Sequence, residues 1–217
     1  MIFLILILAN TFPSYADQNK LKNYSESKKV FWKKLYPGEH KTLYCQKAFK
    51  RRSGVNIEHV FAASWMKAVS GCKNGNRSAC RRKSPRFNRM EADLHNLHPT
   101  IPKINSARGS LIFDEIEESP YSESCPFEIG KKSVEPSNFA KGMVARALLY
   151  MQYEYGADLN KITNRRDMEA MLLKWHCKYP PTSMERTREE KIFKIQNTHN
   201  PFVLGEYDCS NVDLHSI

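Results

Sequence analysis

Past its first dozen residues the chain has no apolar run long enough to cross a bilayer, no internal repeat, no low-complexity tract and no CxxC pair. Those absences argue against a membrane-spanning protein, a repeat architecture and a zinc ribbon. Acidic side chains are the scarce charge: 23 Asp and Glu stand against 34 Lys and Arg, for a net charge of +11. A protein this basic points to a polyanionic partner, either nucleic acid or an anionic surface. The plainer reading is a solvated basic face with no partner, and composition does not choose between them.

What is present begins at the amino terminus. Ile2 to Leu8 form an unbroken apolar run, and a polar, Pro-containing stretch follows, ending Ser14-Tyr15-Ala16. That is the pattern of a secretory signal peptide cut after Ala16, although no Lys or Arg precedes the apolar run. A short membrane anchor is the alternative, but ~11 apolar residues are too few to span a bilayer. The expected organisation is a signal peptide over 1–16 and one mature domain over 17–217, large enough for a sizeable core. The six cysteines (Cys45, Cys72, Cys80, Cys125, Cys177 and Cys209) then read as three disulfides of an exported protein. Cys72 and Cys80 flank the loop KNGNRSA and are expected to close it; the other four leave three pairings open.

Several segments have helical spacing. Leu21 to Tyr36 predicts a helix with Tyr24, Val30, Phe31 and Trp32 on its apolar side, stopped by Pro37-Gly38. Ser137 to Tyr155 predicts a longer one, with Phe139, Met143, Val144, Ala147, Leu148 and Met151 as its stripe and Lys141 and Arg146 off it. Asn164 reads as the cap of a helix burying Met168, Met171, Leu172 and Trp175, which Pro180-Pro181 ends. Met184 to Gln196 predicts a charged helix. Between Asn56 and Arg108 the pattern is strand (Asn56–Phe61), long basic loop, strand (Leu94–Leu97) and a short helix. Thr100 reads as that helix's cap, with Pro102 in its first turn and Gly109 as its stop. The acidic DEIEESPYSE, Asp114 to Glu123, reads as an exposed loop.

The chemistry concentrates in two stretches, NIEHVFAAS from Asn56 and DLHNLHPTIPKINSARGS from Asp93. Neighbours on a strand point to opposite faces, so Glu58 and His59 divide the work if both serve one site. Glu58 with Asn105 offers a carboxylate and an amide oxygen, a donor set for a hard divalent cation such as Mg²⁺, with Mn²⁺ tolerated. His59 is then free to act as general base toward a phosphodiester. His95 and His98 have HxxH spacing, but their rings diverge on a strand, so they read as structural rather than as zinc ligands.

EHV-x-A-S-W, the loop carrying Arg77-Ser78-Ala79-Cys80, DLHNL-x-P, INSARG, GMVARALLYM and NTHNPFV, in this order, resemble the bacterial endonuclease I family of periplasmic or secreted nucleases. The resemblance covers nearly all of the chain from Tyr44 onward. It implies a mostly helical α+β domain around a small ββα-metal (His-Me finger) core, cutting DNA, and often RNA, with little sequence preference and leaving 5′-phosphate ends. Carried over by position, it makes His59 the general base, Glu58 and Asn105 the ligands of one Mg²⁺, and Arg77 the phosphate-holding arginine. Asn96 braces the loop bearing the histidine, and His95 supports it. Lys50, Arg51, Arg52, Arg81, Arg82 and Arg108 are the expected phosphate-backbone contacts of a monomer with no membrane attachment in its mature form. The chain departs from the family in a shorter segment between Cys45 and Glu58, and in Met184 where a cysteine is usual. Two rivals stand: a nuclease restricted to RNA or single strands, and a cationic nucleic-acid-binding envelope or DNA-uptake protein without catalysis.

Overall fold

The computed structural model describes residues 18–72, 74–116, 120–210 and 212, so the expected signal peptide lies outside the described residues. Helix α1 (Tyr24–Val30) starts where the Asn23 side chain accepts from the Glu26 amide. The sequence predicts one α-helix on to Tyr36, but Phe31–Leu35 winds as a π-helix that buries Phe31 and Leu35. Strands β1 (Glu39–Lys41) and β2 (Ala48–Lys50) pair antiparallel behind it.

Strand β3 (Asn56–His59) is where the first catalytic candidates lie. The expected basic loop after it is helical instead: α2 (Ala63–Val69), α3 (Arg77–Lys83) and α4 (Pro85–Ala92). Local chemistry accounts for two of these starts. Asn76 accepts from the Ala79 amide and Ser84 from the Phe87 amide, with Pro85 in the first turn of α4. Cys80, Phe87 and Met90 anchor the short helices in the core while their arginines stay outside, which is why charge hid the periodicity.

The expected strand Leu94–Leu97 is a single 3₁₀ turn (Leu94–Asn96), started by Asp93 accepting from the His95 amide. Strand β4 (Leu97–Thr100) follows, antiparallel to β3 with Glu58 opposite His98 and His59 opposite Leu97. Helix α5 (Pro102–Arg108) completes the ββα unit and ends at Gly109, whose φ of 52° suits a residue without a Cβ. Thr100 does not cap it; Ile101 holds the cap position with no side-chain bond.

Strands β5 (Ile112–Phe113), β6 (Pro120–Ser122), β7 (Cys125–Ile129) and β8 (Ser133–Glu135) form a sheet in the order β5-β8-β7-β6. The acidic stretch is therefore not simply an exposed loop: Asp114 pairs with Arg165, and Glu115 accepts from the Trp175 indole at 2.8 Å.

The C-terminal half supplies the main core. Helix α6 (Asn138–Tyr155) leads through α7 (Leu159–Thr163) to α8 (Met168–Lys178), which packs on it. Gly142 sits where the Tyr179 carbonyl would collide with any Cβ. Asn164 closes α7 in a left-handed conformation rather than opening the next helix, and Asp167 precedes α8. Lys141 and Arg146 are buried although they lie off the apolar stripe. Lys141 meets Glu135 at 2.5 Å, and Arg146 grips Glu185 of α9 (Ser183–Gln196) through two bonds of 2.6 and 2.7 Å. The short α10 (Pro201–Leu204) follows.

Asp93, buried at the entry to β4, ties the two halves together. It accepts from Tyr150 (2.9 Å), Tyr155 (2.7 Å) and Gln196 (2.8 Å), so α6 and α9 fix the 3₁₀ turn that leads into β4, the strand paired with β3. The disulfides pair Cys45 with Cys125, Cys72 with Cys80 and Cys177 with Cys209. Among the described residues no helix is long and apolar enough to cross a membrane. The result is a mostly helical α+β domain.

Candidate active site

Strand alternation sends Glu58 and His59 into different surroundings, and each surrounding fits a different task. Glu58 is buried, and Tyr44 donates to its Oε1 at 2.8 Å. Arg108 approaches the same oxygen at 3.3 Å, leaving Oε2 without a side-chain partner among these contacts. Burial raises the Glu58 pKa, and the Arg108 charge and the Tyr44 hydrogen bond only partly offset it. A carboxylate in that position gains from a nearby cation.

Arg108 is not the surface phosphate contact expected of it. It is 1% exposed and donates to the backbone carbonyls of His59 (3.0 Å) and Val60 (2.7 Å), clipping the end of β3 from behind. Asn105 meets the same strand from α5: its Nδ2 donates to Asn56 Oδ1 at 3.0 Å and to the Ile57 carbonyl at 3.1 Å. With both amide hydrogens turned to the protein, Oδ1 is the atom available to a ligand.

His59 faces the other way. Its Nε2 lies 3.1 Å from the Glu91 carbonyl. A carbonyl can only accept, so Nε2 carries the hydrogen and the neutral ring has its lone pair on Nδ1. Burial, and then the Arg77 charge, lower the His59 pKa to about 4, so the ring is neutral near pH 7.

The Glu91 side chain organises the arginines of α3. Its carboxylate pairs with Arg77 Nε and meets Arg81 at 2.7 and 2.8 Å. Both guanidinium carbons lie over the Tyr24 ring, at 5.4 and 5.6 Å from its centroid, and that ring contacts the His59 ring at 4.8 Å. Arg77 remains 42% exposed along its side chain, able to meet a substrate phosphate.

Asn96 clamps the segment after the histidine, accepting from the Phe61 amide at 2.6 Å and donating to its carbonyl at 3.1 Å. His95 lies away from the site, buried against Tyr150 and bonded to the Thr198 carbonyl at 3.1 Å. Lys50, Arg51, Arg52 and Arg82 are exposed. Tyr24, Tyr44 and Glu91 also contact these residues; the sequence places Tyr24 on the apolar side of a helix, and nothing local in sequence marks the other two.

The sequence profile of endonuclease I matches residues 8–205. The chain belongs to the endonuclease I family. Endonuclease-1 of Buchnera aphidicola subsp. Baizongia pistaciae is 31% identical over 194 residues, covering 85% of this chain and 77% of the relative. An extracellular deoxyribonuclease of Aeromonas hydrophila is 30% identical over 230 residues, covering 94% and 96%. An extracellular ribonuclease of Bacillus subtilis is 34% identical over 124 residues, covering 51% of this chain and 43% of the relative.

In this endonuclease I chain the donor set suits a hard cation. One carboxylate and one amide oxygen, both held by other protein groups, are donors of the kind that an oxygen shell completed by water and phosphate would take. Among the described residues no thiolate or imidazole is grouped with them as a donor.

Proposed function

We propose that this protein is an exported, Mg²⁺-dependent endonuclease that hydrolyses DNA phosphodiester bonds with little regard to sequence. The observation that carries the reading is the His59 tautomer: Nε2 is committed to the Glu91 carbonyl, so Nδ1 is the proton acceptor. His59 Nδ1 takes a proton from water as its oxygen bonds to phosphorus; the bond from phosphorus to the 3′-oxygen breaks, and that oxygen is protonated by solvent. The products carry a 5′-phosphate and a 3′-hydroxyl. Glu58 and Asn105 would hold one Mg²⁺, whose charge stabilises the phosphate in the transition state and the departing oxygen. Arg77 holds the phosphate, and Tyr44 and Arg108 keep Glu58 in place. Weak sequence preference follows if binding comes from lysine and arginine contacts to phosphates, because these carry no base information.

Export is supported by the apolar run Ile2 to Leu8, the three disulfides and the extracellular deoxyribonuclease relative. A second reading, cleavage of RNA as well, is favoured by the ribonuclease relative. The test is nicking of supercoiled plasmid and of a labelled RNA in Mg²⁺ and in excess EDTA. Cleavage should stop in EDTA and return with Mg²⁺, while Glu58→Ala and Asn105→Ala should each need more Mg²⁺ for half-activation. Persistence in EDTA would end the metal-dependent reading.

A further inference from the structure

We propose that the outer face of the N-terminal helical segment is a binding track for an unpaired nucleic-acid strand, leading into the candidate active site. The proposal rests on the nuclease reading for the identity of the site it leads to, and it deepens that reading by naming the form of substrate the site receives.

The track starts at His59. Tyr24 lies 4.8 Å from the His59 ring, and Lys28 Nζ sits 5.2 Å from the Tyr24 centroid, one helical turn further on. Another turn brings Trp32, with the Arg52 guanidinium 5.9 Å from its ring. Ser25, Lys28, Lys29, Trp32, Lys33 and Arg52 line an open groove of about 350 Å³ containing four cations besides its aromatic and no carboxylate. From Tyr24 to Trp32 a helix rises roughly 12 Å, the scale of a short run of nucleotides.

Cations alone would suit any phosphate chain, single or double. Trp32 is what discriminates. Its inner side packs edge-on against Phe31 (4.8 Å) and Phe49 (6.3 Å), while the ring stays partly exposed in the groove. A base can stack on a partly exposed indole only when it is not already stacked and paired within a duplex. A cationic groove with an aromatic ring on which a base can stack is what unpaired strands bind without sequence preference. The line Tyr24, Lys28, Trp32 also explains why aromatics occur on the basic side of this helix, where the sequence alone reads them as core.

Trp32 can report on the site directly. The other two tryptophans, Trp65 and Trp175, are 7% and 0% exposed, so quenching of indole emission by a stacked base reports Trp32. The whole protein, held in EDTA to prevent cleavage, is titrated with an oligothymidylate and with a duplex of equal length, while anisotropy of a labelled oligonucleotide gives affinity. The unpaired strand should quench emission and the duplex should quench it much less. Trp32→Leu should abolish the quench and weaken oligothymidylate binding roughly tenfold, the scale of one base–aromatic stack, and Trp32→Phe should restore most of the affinity. If Trp32→Leu loses its thermal transition, the exposed pair Lys29→Ser and Lys33→Ser serves instead, each reducing the log–log salt slope for oligothymidylate by ~0.7. Equal quenching by duplex, no quenching by either, or unchanged affinity in the folded variants would overturn the track. Because the titration is run without metal, plasmid cleavage without quenching sinks only the track, and quenching without cleavage sinks only the nuclease reading.

Discussion

Glu91 holds His59 and Arg77 with different atoms. Its backbone carbonyl lies 3.1 Å from His59 Nε2, and its carboxylate pairs with Arg77 and Arg81. One residue at the end of α4 therefore sets the tautomer of the proposed base and the position of the proposed phosphate ligand. This coupling gives the two residues separable signatures.

Replacing His59 with Ala should lower turnover by ~10²–10⁴-fold, the usual contribution of a positioned general base. Substrate binding should survive, because phosphate contacts come from lysine and arginine. Single-turnover cleavage and filter binding on the same preparation separate the two, and near-wild-type cleavage would remove His59 from the mechanism.

Arg77→Ala should cost turnover more than affinity if Arg77 meets the reacting phosphate. Arg82→Ala, on the outer side of the same helix, should weaken binding and flatten its salt dependence by ~1 in log–log slope without changing the cleavage rate at saturation. The comparison of saturating rates decides it. Equal rates for wild type and Arg77→Ala would return Arg77 to the general basic field.

Some of this architecture was legible in sequence and some was not, for reasons visible in particular residues. Helix α6 and the end of α5 followed from apolar spacing and from Gly109, since both are local rules. The helices α2 to α4 did not, because seven- and eight-residue helices show too few turns for periodicity and their caps, Asn76 and Ser84, sit in a run of arginines. Glu58, His59 and Asn105 were found as a motif, but their holders Tyr44 and Glu91 lie 14 and 32 residues from what they hold. Arg108 misled for the opposite reason. An arginine at the end of a short helix looks like surface, and the Glu58 carboxylate and the carbonyls of His59 and Val60 make its burial favourable.

Acid should unfold this protein partly through His95. Burial lowers its pKa to about 4 despite the nearby Glu189 carboxylate at 3.3 Å, so the contact is not an ion pair at neutral pH. Below pH ~6.5 the unfolded chain takes up the proton and the folded chain does not. The stability contributed is full above that value and is lost as pH falls toward 4, by about 3 kcal/mol at ~1.4 kcal/mol per unit. Asp93, whose pKa burial raises, opposes part of the loss. Urea midpoints measured from pH 7 to pH 4 should therefore decline, and His95→Gln should decline less steeply. A parallel slope in the variant would assign the acid sensitivity elsewhere.

The disulfides connect compartment to activity. Cys45–Cys125 closes a separation of 80 residues that contains the whole ββα unit, while Cys177–Cys209 closes 32 residues in the C-terminal half. Long-loop crosslinks of this kind each stabilise by ~2–4 kcal/mol, a large share of a domain's ~5–15 kcal/mol. The first also has a local consequence. Tyr44 precedes Cys45 and holds Glu58, so releasing Cys45 loosens the support of the proposed metal ligand. In reducing cytosol these bonds do not persist, and the site should be poorly ordered until the chain is exported and oxidised. Dithiothreitol treatment should therefore abolish cleavage together with thermal stability, followed by circular dichroism at equal protein concentration. Among paired serine variants, loss of Cys45–Cys125 should raise the Mg²⁺ needed for half-activation, whereas loss of Cys177–Cys209 should lower stability alone. Full activity and an unchanged melting temperature in the reduced protein would show that something other than the disulfides keeps the enzyme silent before export.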